Sequence, residues 1–108
     1  MTYIADMTHF VDVLVPGNEV PPAARRLAEY LGSIVSAASL AKPEHVLVTG
    51  LRCRRRPRRK ACQGQIRLRV LQGTSEILWE CTRCGDNGII HNWQGTLWDC
   101  SCDRVIIH

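Results

Sequence analysis

The stretch ECTRCGDNG, residues 80–88, holds two cysteines three positions apart, with a glycine directly after the second. This is the form of a metal knuckle. The first thiolate ends a strand, the chain turns tightly, and backbone N–H groups point at the sulfurs; Gly85 permits the positive φ that such a turn needs. Asp86-Asn87-Gly88 supplies a second tight turn into a following strand. The rival for a C-x-x-C pair is thiol redox chemistry, which Trp79 just upstream would suit. That chemistry places the first cysteine at a helix N-terminus, where its pKa falls. GDNGII, the run after Cys84, starts helices poorly and reads as turn then strand. A structural metal is the preferred reading.

One knuckle is half of a tetrahedral site, so two more ligands are required. Cys53 and Cys62 are the first candidates, which gives the pattern C-x8-C-x18-C-x2-C over Cys53, Cys62, Cys81 and Cys84. The step from Cys62 to Cys81 is about what one β-hairpin occupies, returning the chain to the same end of a sheet. The spacing resembles a zinc ribbon in its second half; in its first, the usual second C-x-x-C is expanded into a long loop. Cys100 and Cys102, a C-x-C pair between Asp99 and Asp103, compete for the role, with His91 and His108 in range. Zn2+ is preferred to iron because rubredoxin-type iron needs two C-x-x-C-G knuckles. Four thiolates around zinc leave no position for water, so the site would be structural. It would supply about 10–16 kcal/mol of apparent binding free energy to folding.

The loop between Cys53 and Cys62 is the other distinctive feature. Arg52, Arg54, Arg55, Arg56, Arg58, Arg59 and Lys60 put seven cations and no acid into residues 52–60. The chain before them carries three cations against five acids, and the chain after them four against five, so the whole net charge of +4 lives in that loop. A localised basic patch of this kind suits an anionic partner.

The rest of the sequence frames these motifs. HFVDVLV, residues 9–15, reads as a short strand or extended arm, ended by Pro16-Gly17-Asn18. Pro21 and Pro22 suit the first turn of a helix. Leu27, Tyr30, Leu31, Ile34, Val35 and Ala38 then recur at helical spacing, which predicts a helix over 22–41, closed before Pro43. Its small apolar back half packs on the domain core or, alternatively, forms a homodimer contact. After Pro43 come short β-rich runs at 45–53, 65–71, 76–81, 88–93 and 96–99, separated by glycines. Residues 65–69 alternate strictly, with Gln65, Arg67 and Arg69 on one face and Ile66 and Leu68 on the other. That pattern predicts a half-exposed antiparallel strand whose outer face adds Arg67 and Arg69 to the basic patch. Trp79, Trp93 and Trp98 read as core residues or, where exposed, as stacking platforms.

The expected fold is therefore α+β: one N-terminal amphipathic helix packed on a small antiparallel zinc-ribbon-like β-sheet. Residues 1–44 form the arm and helix, residues 45–108 the ribbon-like β domain, and the two make one compact unit. The 108 residues, 45% hydrophobic and 22% charged, argue against wholesale disorder. No window is apolar enough to span a bilayer. MTYIADMTHF lacks a basic n-region, which with the clustered cysteines predicts a cytoplasmic location.

WECTRCGDNGIIHNWQGTLWD at 79–99, with RCRRRPRRKAC upstream and the HF…PPAARRLAEYLGSIV front half, resembles a family of small bacterial proteins of uncharacterised function. The resemblance covers most of the chain and implies that the helix and the cysteine-rich half belong together; it brings no activity. The tail DCSCDRVIIH departs from it.

Three functional readings follow. The first is a structural-zinc module that contacts nucleic acid, DNA or RNA, through Arg52, Arg54, Arg55, Arg56, Arg58, Arg59, Lys60, Arg67 and Arg69, since arginine offers a permanent bidentate charge for phosphate. The second is a metal-dependent or thiol redox enzyme. The third is a metal-binding adaptor for an acidic protein, or a metal sensor that uses the surplus cysteines. No Ser-His-Asp spacing, phosphate loop or paired carboxylates speak for the second.

Overall fold

The computed structural model describes residues 2–14, 19–55, 59–96 and 98–100, apart from the side chains of 11–14. The chain forms an α+β unit. Its elements are strand β1 (Thr2–Asp6), a 3-10 segment (Met7–Leu14), helix α1 (Pro22–Ser39), and strands β2 (Leu47–Arg52), β3 (Gln65–Val70), β4 (Ile77–Cys81) and β5 (Asn87–His91). The five strands make one sheet in the order β1-β5-β4-β3-β2.

That sheet is mixed, not antiparallel throughout. Strands β2 to β5 form an antiparallel meander, and β1 adds in parallel beside β5, with Ile4 opposite Ile89. The run at 9–15, expected as a short strand or extended arm, is part of a 3-10 segment through Leu14, Val15 lying outside the described residues, and the true edge strand lies before it. Asp6 makes the switch: its Oδ1 accepts from the Thr8 backbone N–H at 2.9 Å and from the Thr8 hydroxyl at 2.6 Å. A short carboxylate that satisfies the next backbone N–H starts a helical turn and stops a strand. The other Asp6 oxygen accepts from Asn92 Nδ2 at 2.9 Å, fixing the end of β1 to the end of β5. These hydrogen bonds, Thr8 first and Asn92 next, lower the Asp6 pKa to about 2.

Helix α1 begins with Pro22 in its first turn, as the Pro-Pro pair requires, and ends at Ser39. Its buried side includes Ala28, Leu31, Ile34, Val35 and Ala38. These residues share one core with Ile66, Leu68, Val70, Ile77 and Ile90 of the sheet. The alternation read in 65–69 appears in β3 as a strict exposed-buried pattern. The back half of the helix thus packs on its own sheet. In β2 the register shifts between Val48 and Arg52, and the buried Thr49 hydroxyl donates to the Ile66 carbonyl at 2.6 Å across the irregularity.

Trp79, Trp93 and Trp98 are all buried, so the tryptophans serve the core and none is an exposed stacking platform. In the run at 96–99 no described residue is in a strand: the Thr96 N–H donates to the Trp93 carbonyl and the Asp99 N–H to the Thr96 carbonyl, and Leu97 lies outside the described residues. Trp98 and Cys100 lie against α1, whose Ser36 hydroxyl donates to the Trp98 carbonyl and whose Ser39 hydroxyl accepts from the Cys100 N–H. Among the described residues no helix is long and apolar enough to cross a membrane.

Candidate metal centre

The meander brings two connections to one end of the sheet. Cys53 follows β2 directly and Cys62 stands three residues before β3, while Cys81 closes β4 and Cys84 sits in the turn to β5. All four sulfurs lie within 4.8 Å of one another. Cys53 and Cys84 are 3.6 Å apart at Sγ, as are Cys62 and Cys81. A tetrahedral ion with sulfur ligands at about 2.3 Å demands sulfur–sulfur edges of about 3.8 Å. The two 3.6 Å pairs come close to that edge, and the four thiols are near enough together to hold a metal ion.

The backbone around the sulfurs is arranged as the knuckle reading expects. Cys81 Sγ accepts from the N–H groups of Arg83 at 3.3 Å and Cys84 at 3.4 Å. Gly85 takes φ +77°. The upstream pair makes a reduced version of the same motif: Cys53 Sγ accepts from the Arg55 N–H at 3.4 Å, and Cys62 Sγ from the Gly64 N–H at 3.3 Å. Each donor stabilises a thiolate and costs no reorganisation when a metal binds. Gly64 was not singled out from sequence, although its place two residues after Cys62 was the available signal. A Cβ at Gly64 would fall inside contact distance of Cys81 Sγ and 3.2 Å from the Arg83 backbone nitrogen.

Burial pushes the Cys53 thiol above its ordinary range. Burial opposes ionisation of Cys81 as well, but the Cys84 and Arg83 N–H groups, with the Cys84 and Cys62 thiols, outweigh it and bring its pKa down to about 7. Cys81 and Cys84 lie on a strand end and a turn, with no helix N-terminus behind them, so the device that activates a thioredoxin-type pair is missing from this C-x-x-C.

The basic loop rises from this centre on a narrow base. The Cys62 N–H donates to the Arg55 carbonyl at 2.9 Å, and the Cys53 N–H to the Gly64 carbonyl at 3.0 Å. Arg54, Arg55, Arg59 and Lys60 are exposed; Arg56 and Arg58 lie outside the described residues. Arg52 Nη1 donates to Gln63 Oε1 at 2.6 Å, and Arg55 pairs with Asp86 at 3.7 Å. The Arg54 guanidinium sits 5.6 Å from the centroid of the Tyr30 ring.

Arg67 and Arg69 occupy the open face of β3, where each meets an acid. Arg67 Nε donates to Glu80 Oε1 at 2.6 Å, and Arg69 lies 4.0 Å from Glu44. The outer face of this strand is therefore salt-bridged, which the sequence of β3 alone does not reveal. Among the described residues neither His91 nor Cys100 joins the sulfur group. Cys102 and His108, the other competing ligands, lie outside the described residues.

Comparison with protein-family models, with curated proteins and with solved structures finds no match to the chain.

Proposed function

We propose that this protein is a zinc-binding module of ribbon-like build that contacts nucleic acid through the arginine-rich loop 52–60. The observation that carries the reading is the loop's footing. Its two ends are the candidate ligands Cys53 and Cys62, and a backbone hydrogen bond from Cys62 to Arg55 closes it at the base. A metal held there stiffens a segment that would otherwise lose entropy on meeting a partner. Zinc suits four soft thiolates at tetrahedral spacing, and with no ligand position open its role is structural.

Phosphate is the chemistry that this loop matches best. Arginine keeps its charge at every physiological pH and meets phosphate oxygens with a two-pronged donor. The exposed Arg67–Glu80 and Arg69–Glu44 pairs are of the weak surface kind, at about 0–1 kcal/mol each, so a phosphate can displace the acid and extend the footprint along β3.

Native mass spectrometry with elemental analysis tests the metal: one zinc per chain, removed by chelator, is the expected result. A salt-titrated binding assay tests the loop. With about five phosphate contacts, log K falls against log salt with a slope of about −4 to −5 on duplex DNA. Substituting Arg55, Arg56 and Arg58 by Ala flattens that slope and leaves thermal stability unchanged. Absence of any binding at about 50 mM salt overturns the reading, because counterion-release affinity is strong there.

A further inference from the structure

A cavity of about 420 Å³ opens between β1, helix α1 and the chain that leaves Cys53. This is within the size range of small-ligand pockets. Tyr3 of β1, Leu27 and Tyr30 of α1 and Trp79 of β4 line it, together with Arg54 and Arg55. The Tyr30 and Trp79 rings touch edge to face, with centroids 6.1 Å apart and planes at 87°. The Trp79 indole lies across Gly88 of the neighbouring strand, which leaves it room there.

The Tyr30 hydroxyl and the Trp79 Nε1 are both buried, and among the described residues neither has a hydrogen-bond partner. Trp79 is only 4% exposed. The Arg54 backbone N–H approaches the Tyr30 oxygen without forming a hydrogen bond; even a bond there would leave the hydroxyl proton unused. Folded proteins rarely leave two buried donors unmet, and such groups call for an explanation. An acceptor entering this cavity supplies one. The charged lining residues are Arg54, Arg55 and Asp86, two cations against one anion, with Arg55 already paired to Asp86.

We propose that this pocket binds one unpaired nucleotide. The base enters among the aromatic side chains, its carbonyl-oxygen or ring-nitrogen acceptors take the Trp79 and Tyr30 protons, and its phosphate meets Arg54 and Arg55. A nucleotide combines the three properties the lining asks for: a flat π-face, acceptors on the ring edge, and an anion one sugar away. An aliphatic acid would leave the buried donors unmet, and a sugar phosphate would leave the aromatic walls bare. The inference rests on the nucleic-acid reading of the loop and deepens it, naming single-stranded nucleic acid as the ligand.

The test titrates the full, metal-loaded chain, labelled with ¹⁵N, with adenosine and uridine 5′-monophosphates and separately with inorganic phosphate and benzoate. Binding of a nucleotide moves the Trp79 indole N–H resonance; phosphate alone leaves it in place. Tyr30→Phe weakens nucleotide binding about two- to tenfold, the worth of one neutral hydrogen bond, and Leu27→Trp, which fills the cavity, abolishes it while the Trp93 and Trp98 resonances stay put. A nucleotide that leaves the Trp79 resonance unmoved, or benzoate that binds more tightly than either nucleotide, overturns the assignment. Oligonucleotides separate this failure from that of the loop. If Leu27→Trp and Tyr30→Phe bind single strands like the unaltered protein, the pocket falls and the loop reading stands. If the unaltered protein binds no oligonucleotide at low salt yet nucleotides still move the indole, the loop reading falls and the pocket stands.

Discussion

Gly64 and Cys81 face each other across the β3–β4 end so closely that no side chain fits between them. The Gly64 N–H meanwhile donates to Cys62 Sγ, so one small residue lets two candidate ligands approach and orients one of them. Gly64→Ala is expected to displace Cys81 or Arg83 and to weaken metal binding by about 10- to 100-fold, the usual cost of disturbing the surroundings of a ligand. Competition with a chelator of known affinity measures it. An unchanged affinity would mean that the sulfurs have no fixed spacing to protect.

Cys62→Ser removes one ligand from the group of four and leaves the sheet intact on paper. If the group holds zinc as proposed, at about 10–16 kcal/mol of apparent binding free energy, losing the ligand should unfold the β-half at ambient temperature. Circular dichroism and hydrogen exchange at the β3 and β4 amides report it. Cys100→Ser, by contrast, should retain full metal content, since Cys100 lies against Ser39 and Trp98 of the helix side.

Metal loading should depend on pH in one direction. A metal binds thiolates, so protons compete with it. Cys53 is held protonated by burial, and Cys81 is brought down from 9.0 to about 7. As pH falls through 7, Cys81 regains its proton and the cost of ionising the set rises. Retention against a fixed chelator should therefore fall steadily below pH 7, with proton release on binding measurable by calorimetry in two buffers.

Glu80→Gln tests the open face of β3. It removes the acid that holds Arg67 at 2.6 Å. The expected result is tighter nucleic-acid binding with a steeper salt slope, and a change in stability under about 1 kcal/mol because the pair is exposed. Weaker binding would mean that Arg67 needs Glu80 to hold its place.

Local chemistry was legible in the sequence and distant pairing was not. The cysteine spacing, the helical period of Leu27 to Ala38 and the alternation of Ile66 and Leu68 each state their structure within a few residues. β1 does not. Its partner lies 85 positions away, as the Thr2–Asn87 contact shows, and parallel pairing is made by backbone groups that every residue carries. The short apolar run after Asp6 has no period long enough to separate a strand from a helical turn. The decisive Asp6–Thr8 cap is a two-residue event inside an unremarkable stretch. The Arg67–Glu80 pair and the unmet donors of Tyr30 and Trp79 depend on register and packing, which exist only once the sheet is assembled.

The parallel seat of β1 also sets the order in which the nascent chain can mature. β1 leaves the ribosome first, but the strand it docks against ends at His91. Strands β2 to β4 and all four candidate ligands emerge earlier and pair with near neighbours, so loop-closure entropy favours them. Metal capture can thus precede closure of the sheet during translation. Until then Ala5 and Met7, buried in the finished fold, travel uncovered, and the chain is in its most adhesive form.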